Sequence, residues 1–366
     1  MAQPLIFTIV GTRPNFIKVT QFDRVFREAG FRHVLVHTGQ HYDLNMAGVF
    51  FQQFGLSPDH QLALTHSSPT GQMADILLGL EQLFATRRPD MVLVPGDVNS
   101  TLAAALAANK SGIPIGHIES GLRSEDKGMP EEHNRILTDH LAELLFVTEE
   151  SGLKNLQKEN IAKDRVRFVG NTMIDTLVAY GTQIEASSIL EDHQLTPGGY
   201  LLMTMHRPAT VDDRQAMVHL TELIRAMTAF GKIVFPIHPR TRKQLDRFDL
   251  LGEWDAIEPL ILTEPMGYFP FQKLIQHSLA VVTDSGGIQE ETTFRQVPCL
   301  TLRPNTERPS TLHPGSNTLV PFDIDVITGH LQMIRSGAYK QGLIPPLWDG
   351  QASERIAGEI ANWLNP

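Results

Sequence analysis

Short apolar runs alternate with longer stretches whose apolar residues recur at helical spacing, the pattern of βα units that build a mostly parallel sheet. In the first half, 5–10, 34–38, 91–94, 113–118, 144–147 and 166–169 read as strands. The spacing predicts helices between them over 14–29, 71–86, 100–110, 130–141 and 149–159. After Asp175 the periodicity blurs through a polar connection containing Pro and Gly. It then resumes, with strands at 200–204, 232–236, 279–282, 298–302 and 317–320 and helices near 212–230, 269–277 and 287–295. The expected fold is α/β, with two Rossmann-like domains over 1–170 and 171–351 and a central cleft at the carboxyl ends of their strands, where open α/β sheets bind ligands. A last amphipathic stretch, 352–366, is expected to pack back on the first domain.

Composition narrows the choice of partner. The chain has 366 residues, 42% of them apolar and 20% charged, an ordinary balance for a globular protein. Its formal net charge is 31 − 41 = −10. A chain this acidic lacks the broad basic surface that binds nucleic acid or an anionic membrane, so any anionic ligand must be met by a local cluster of cations. The lone cysteine, Cys299, excludes an internal disulfide and suits a reducing compartment, the cytoplasm by default. No segment reaches the ~18 uncharged apolar residues of a spanning helix.

Several standard chemistries fail on spacing. GTRPNFIK stands after the first strand in place of G-x-G-x-x-G, and no P-loop, G-x-S-x-G or H-E-x-x-H occurs. His117-Ile118-Glu119 imitates the H-x-E of zinc deaminases, whose P-C-x-x-C partner is impossible here. His37 and His41 flank a Thr-Gly-Gln turn and read as packing or hydrogen-bonding residues rather than a metal pair. Neither a metal nor a cofactor is expected.

The strongest local signal is the strand, turn and helix of VVTDSGGIQEE. Ser285-Gly286-Gly287 leaves amide groups bare at a helix start, with no Cβ on two successive residues, so a diphosphate can come close. The same turn also reads as a tight strand–helix connection with Glu290 and Glu291 stabilised by the helix dipole. Cations stand at other strand ends: Arg13 and Lys18 after the first strand, Arg240 and Arg308 in the second half. Acid–base candidates are Asp97 in PGDVNS, Glu119 in HIESGLR, Glu131 in MPEEHNR and His206 in MHRP. Glu131 and Arg135, four apart, lie on one helix face, where they can pair or share a ligand. Three carboxylates and a histidine make a set for moving a proton at a sugar carbon. Taken singly, Asp97 also reads as a helix cap and Glu131 as a first-turn acid.

In this order GTRPNFIK, HTGQHYD, GDVNSTLAAALAA, HIESGLR, MPEEHNRILTDH, VGNTMIDTL, MHRPATVD, HPRT, YFPF, DSGGIQEE and NTERP resemble the non-hydrolysing UDP-N-acetylglucosamine 2-epimerases over nearly the whole chain. The resemblance implies a fold like the GT-B glycosyltransferases, a UDP-sugar substrate and a homodimer. By it, Asp97, Glu119, Glu131 and His206 match catalytic residues. Arg13, Lys18, Arg135, His238, Ser285, Gly286, Gly287 and Arg308 match diphosphate and cleft contacts, Phe271 the uracil contact and Glu291 the ribose contact. The implied reaction removes the C2 proton as UDP leaves C1, then returns both with the opposite configuration at C2. Asp97 and Glu131 are expected to carry the proton, with Glu119 and His206 steadying charge or the leaving group. Asn15 replaces the Glu usual after GTRP, and Pro208 follows His206-Arg207 where many bacterial members have a second Arg. With Asp43, these departures put the family's activation by UDP-N-acetylglucosamine in doubt and leave open a related substrate, such as a diacetamido uronic acid or a 6-deoxy sugar. A GT-B glycosyltransferase, a silent UDP-sugar sensor and a hydrolysing epimerase are the competing readings.

Overall fold

In the computed structural model, which describes residues 3–40 and 53–364, the chain divides into two compact units, 1–179 with 346–366 and 180–345. His41 and Asp43 lie outside the described residues. The helix Thr172–Ala179 and the segment from residue 346 thus belong to the first unit.

The first unit holds a parallel sheet of β1 (Leu5–Val10), β2 (Arg32–His37), β3 (His60–Gln61), β4 (Met91–Pro95), β5 (Ile115–Ser120), β6 (Leu144–Val147) and β7 (Val166–Phe168). Its described strands run in the order β3-β2-β1-β4-β5-β6-β7. β1, β4, β5 and β6 are buried along their whole length, which is why β1, β4 and β6 read as nearly continuous apolar runs rather than alternating ones, while β5 carries His117 and Glu119 into the interior. Alanines 103–105, 107 and 108 of the helix Asn99–Lys110 pack with Val92 and Val94 on one face of the sheet. On the other face Ile356, Ala357 and Ile360 of the last helix, Ala352–Leu364, join Phe22, Phe26 and Phe146.

The second unit holds β8 (Tyr200–Thr204), β9 (Lys232–Pro236), β10 (Leu260–Thr263), β11 (Ala280–Thr283), β12 (Cys299–Leu302) and β13 (Asn317–Val320). Their order is β10-β9-β8-β11-β12-β13, again all parallel. In each unit strand order reverses once, between β1 and β4 and between β8 and β11, so each sheet has a switch point whose strand-end loops are free to bind.

Several features differ from the sequence reading. The helix expected over 14–29 is two, Arg13–Lys18 and Phe22–Glu28. Thr176 donates to the Ile17 carbonyl and lies 2.6 Å from the Thr20 hydroxyl, satisfying a helix-end carbonyl from outside. β10 and the helices Pro239–Phe248 and Ile324–Arg335 occupy stretches the periodicity left unassigned. All four residues of β10 are half-buried, as suits an edge strand, so its apolar signal is short and weak.

Candidate active site

In the first unit the candidate residues stand at the ends of β1, β4 and β5, three neighbouring strands. Asn15 ties the first loop to the second. Its Oδ1 accepts from the amides of Gly11 and Thr12 at 3.3 and 3.2 Å, while its Nδ2 donates to Pro95 O at 3.0 Å. That network holds the helix carrying Arg13 and Lys18 against the Gly96-Asp97 turn.

Lys18 reaches Glu119 from this helix and forms an ion pair in which both side chains are buried. Glu119 has φ 69°, a left-handed conformation that costs a non-glycine residue about 1–3 kcal/mol, and the register between β5 and β6 shifts around it. The strain turns its carboxylate out of the strand's alternation. Gly96 has φ 71°, and a Cβ there would lie 3.1 Å from Lys18 Nζ and 3.8 Å from Glu119 Oε2.

Behind these turns His117 is fully buried, with Nδ1 2.6 Å from Asp139 Oδ1 and Nε2 2.8 Å from Gly96 O. Asp139 also accepts from the Gly121 amide at 3.1 Å and meets Arg123 at 2.7 Å. Burial pushes its carboxyl up, but His117 and Arg123 outweigh that and hold it below the usual range. His117 therefore fixes the carbonyl one residue before Asp97 while standing two residues before Glu119.

Arg135 pairs with Asp97 and with Glu132, three residues back, rather than with Glu131 as the four-residue spacing suggested. Glu132 is buried and also accepts from the Ser124 and Glu125 amides, each at 2.9 Å. Glu131, half-buried in the first turn of the helix Pro130–Leu141, makes no hydrogen bond or ion pair among the described residues. The oxygens of Asp97 and Glu119 are engaged by cations; Glu131 keeps its carboxylate available.

In the second unit the site residues stand mainly after β8, β9, β11 and β12. Asp284, fully buried after β11, accepts from the amides of His206 and Arg207 at 2.9 and 2.8 Å, and its other oxygen lies 3.0 Å from His206 Nδ1. The His206 ring lies against His238 in a tilted arrangement with centroids 5.0 Å apart, and His238 Nδ1 accepts from the Arg240 amide at 3.1 Å. Arg240 itself is turned to the surface in an ion pair with Asp212, so it does not join the cations expected at the strand ends.

Ser285-Gly286-Gly287 opens the helix Gly287–Phe294. Gln289, fully buried, braces the turn, donating to Ser285 O at 3.2 Å and accepting from Thr306 and Asn317 at 2.8 and 3.0 Å. Arg308 pairs with Glu290 at 2.8 Å and with Glu307, while Arg303 reaches Glu307 at 3.1 Å. A Cβ on Gly286 would lie 3.1 Å from Arg308 Nη1 and 3.6 Å from Arg303 Nη1. Arg303 Nη1 is buried and has no hydrogen-bond partner among the described residues. Burial pulls Arg303 down, opposed by Glu307 and aided by Arg207 and Arg308. Two guanidinium groups, a bare glycine and an open donor are the features that suit a turn to an anion.

Glu291 is buried beside Tyr268 and Arg295, and Phe271 is half-buried on the helix Tyr268–His277, packed against the core. Sequence reasoning missed Asp284, Arg303, Glu307, Asp139 and Glu132. Asp284 and Arg303 each directly follow a strand, the one signal that marked them.

The family model for UDP-N-acetylglucosamine 2-epimerase matches residues 23–361. A UDP-N-acetylglucosamine 2-epimerase of Methanococcus maripaludis is 38% identical, covering 98% of both chains. A UDP-2,3-diacetamido-2,3-dideoxy-D-glucuronate 2-epimerase of Pseudomonas aeruginosa is 37% identical over 97% of this chain and 99% of its own. The crystal structure of Methanocaldococcus jannaschii UDP-GlcNAc 2-epimerase in complex with UDP-GlcNAc and UDP matches at TM-score 0.87 and 34% identity, covering 98% of this chain and 99% of that one. A lipopolysaccharide outer core galactosyltransferase, at TM-score 0.57 and 13% identity, shares the fold alone, over 99% of this chain and all of its own.

Proposed function

The chain belongs to the UDP-N-acetylglucosamine 2-epimerase family, with its GT-B-like fold, and from that premise we propose that it is an isomerase interconverting UDP-N-acetylglucosamine and UDP-N-acetylmannosamine without releasing the sugar. The observation that carries the reading is the set of carboxylates at the ends of β4 and β5 and in the helix that follows. A glycosyltransferase or a silent sensor has no use for three acids of which one, Glu131, keeps its carboxylate unengaged among the described residues.

The chemistry divides into two halves. A carboxylate takes the C2 proton while the C1–O bond breaks and UDP leaves with its electron pair, giving 2-acetamidoglucal. A second group then delivers a proton to the other face of C2 as the UDP oxygen re-forms the bond to C1. The C2 proton is weakly acidic, so the departing diphosphate must accept charge as the proton leaves, and fixed cations stabilise it. Glu131 and Asp97 carry the proton. Glu119, set by Lys18, and His206, set by its neighbours, steady charge. Ser285, Gly286, Gly287 and Arg308 hold the diphosphate, with Arg13, Lys18, Arg135 and His238 as further polar contacts. Phe271 takes the uracil and Glu291 the ribose hydroxyls.

A related UDP-2-acetamido sugar, a 2,3-diacetamido uronate above all, is the second reading, favoured by the similarity to the P. aeruginosa enzyme and by Asn15. The protein works in the cytoplasm as a homodimer supplying surface polysaccharide synthesis. No helix among the described residues is long and apolar enough to cross a membrane, and Leu78 and Leu137 stand exposed on helices of the first unit, apolar surface suited to a second copy. Incubation with a panel of UDP-2-acetamido sugars in D2O tests the assignment. Deuterium at C2 without acceptor or free sugar supports it, free N-acetylmannosamine marks a hydrolysing enzyme, and no exchange with any sugar overturns it.

A further inference from the structure

Asp284 has no part in the scheme above, yet its three contacts all converge on one residue and its neighbour. Thr204 and Thr283 pair at the ends of β8 and β11, with their hydroxyls 2.7 Å apart, so the two strands finish level and their loops leave side by side. Asp284 Oδ2 then accepts the His206 and Arg207 amides, which fixes the carboxylate plane. Oδ1 is left 3.0 Å from His206 Nδ1, close enough to pair though not in line with the ring N–H, and it has no other partner among the described residues. An ionised carboxylate only accepts, so its nearness favours the tautomer with the hydrogen on Nδ1, which leaves Nε2 as the working nitrogen. The His238 ring, tilted against His206 with centroids 5.0 Å apart, flanks the imidazole on one side. Burial pushes the Asp284 carboxyl up, but His206 and the two amides prevail and hold it below the usual range. The next residue is Ser285, the first of the anion-binding turn.

We infer that Asp284 is a positioning residue for His206: it fixes the imidazole tautomer with Nε2 available to the substrate and joins that ring to the diphosphate-binding turn as one rigid piece. The inference rests on the epimerase reading for what Nε2 does, though not for which nitrogen carries the hydrogen. A merely structural Asp284 would brace two loop amides and leave the ring indifferent to its charge.

Asp284→Asn separates the two. The two amides retain the asparagine oxygen, because turning the side chain over would set its NH2 against both of them. The NH2 therefore faces Nδ1, which must become an acceptor, and the hydrogen moves to Nε2. In 15N-histidine-labelled protein, the His206 signals, assigned by their loss in His206→Gln, are expected to exchange the pattern of a protonated Nδ1 for that of a protonated Nε2. The kcat for C2 exchange should fall on the order of 10²-fold, with UDP affinity and the melting temperature close to wild type. Asp284→Glu, which keeps the charge, should retain the wild-type tautomer and more of the activity. An unchanged tautomer in Asp284→Asn, or wild-type kcat, overturns the inference; so does a loss of kcat that only tracks a loss of stability. If the wild-type protein exchanges C2 of no UDP-2-acetamido sugar, the functional reading fails instead, and the nitrogen signals still decide the role of Asp284.

Discussion

The ammonium of Lys18 and Oε2 of Glu119 meet inside the first unit, each side chain less than a tenth exposed, beside the glycine that precedes Asp97. The pair joins the loop after β1 to the end of β5, where Glu119 has a left-handed backbone conformation. Breaking a buried pair by removing one partner leaves the other charge uncompensated, at a cost of about 3–5 kcal/mol. Lys18→Met is therefore expected to lower the urea-unfolding free energy by that order and to lower activity. Adding Glu119→Gln to Lys18→Met should recover much of the stability and none of the activity. An additive double variant would show that the two side chains do not depend on each other.

Glu131→Gln tests the proton carrier directly. The side chain makes no contact among the described residues that the amide would lose, so folding should be unaffected. Deuterium exchange at C2 should fall by about 10²–10⁴-fold, the usual contribution of a positioned acid or base. UDP binding, measured by calorimetry, should stay near wild type, because the turn proposed to hold the diphosphate, Ser285-Gly286-Gly287, belongs to the other unit. Wild-type exchange would remove Glu131 from the mechanism.

What could be read in advance follows from where each signal is stored. The buried parallel strands announce themselves because both faces are covered, so β1 and β4 are continuous apolar runs whose ends locate Arg13 and Asp97. The break after Lys18 could not be read, since Thr176, which takes up the Ile17 carbonyl, lies 159 residues away. Arg135 could face Glu131 or Glu132 equally well by spacing; Asp97 and the Ser124 hydroxyl, both from other loops, decide for Glu132. Asp284 looked like one more polar residue before a glycine turn. Its meaning lies in two amides 77 and 78 residues earlier, which only the pairing of β8 with β11 brings within reach.

Asp175 makes the docking of the last helix sensitive to pH. It accepts from the Ala352 and Ser353 amides at 3.0 and 2.6 Å and from the Ser353 hydroxyl at 2.6 Å. Burial outweighs these donors and lifts the carboxyl from 3.8 to about 6. A raised carboxyl binds its proton more tightly in the folded state, so its stabilising contribution is complete below about 4 and is lost as pH rises through 6. The change is roughly 3 kcal/mol at most, two units at about 1.36 kcal/mol each. Urea titrations between pH 4.5 and 7.5 should show wild type losing stability relative to Asp175→Ala over this window. The variant should be weaker by about 1–2 kcal/mol at pH 7.5 for its lost helix caps, and by more at pH 4.5. Parallel profiles would rule out Asp175 as the titrating group.

Gly286→Ala asks whether the turn after β11 receives a phosphate. The backbone there, at φ −73° and ψ −50°, suits alanine, so the fold carries no penalty from conformation. The methyl group, however, would stand 3.1 Å from both Arg308 Nη1 and Glu307 Oε1. Neither can swing aside cheaply, because Arg308 is also held by Glu290 and Glu307 by Arg303. The alanine would thus displace the guanidinium groups from the position where they face an anion, and take up space the anion needs. UDP affinity should fall at least about tenfold, near 1.4 kcal/mol, and the urea midpoint should drop as well, because the buried pairs of Arg308 and Glu307 must give way. Gly329→Ala serves as the control: it lies in the helix Ile324–Arg335 with no atom within 4 Å of its Cβ position. That variant should gain about 0.4–1 kcal/mol of stability and bind UDP as wild type does. If Gly286→Ala also binds as wild type does, the diphosphate sits elsewhere and the glycine serves only the turn.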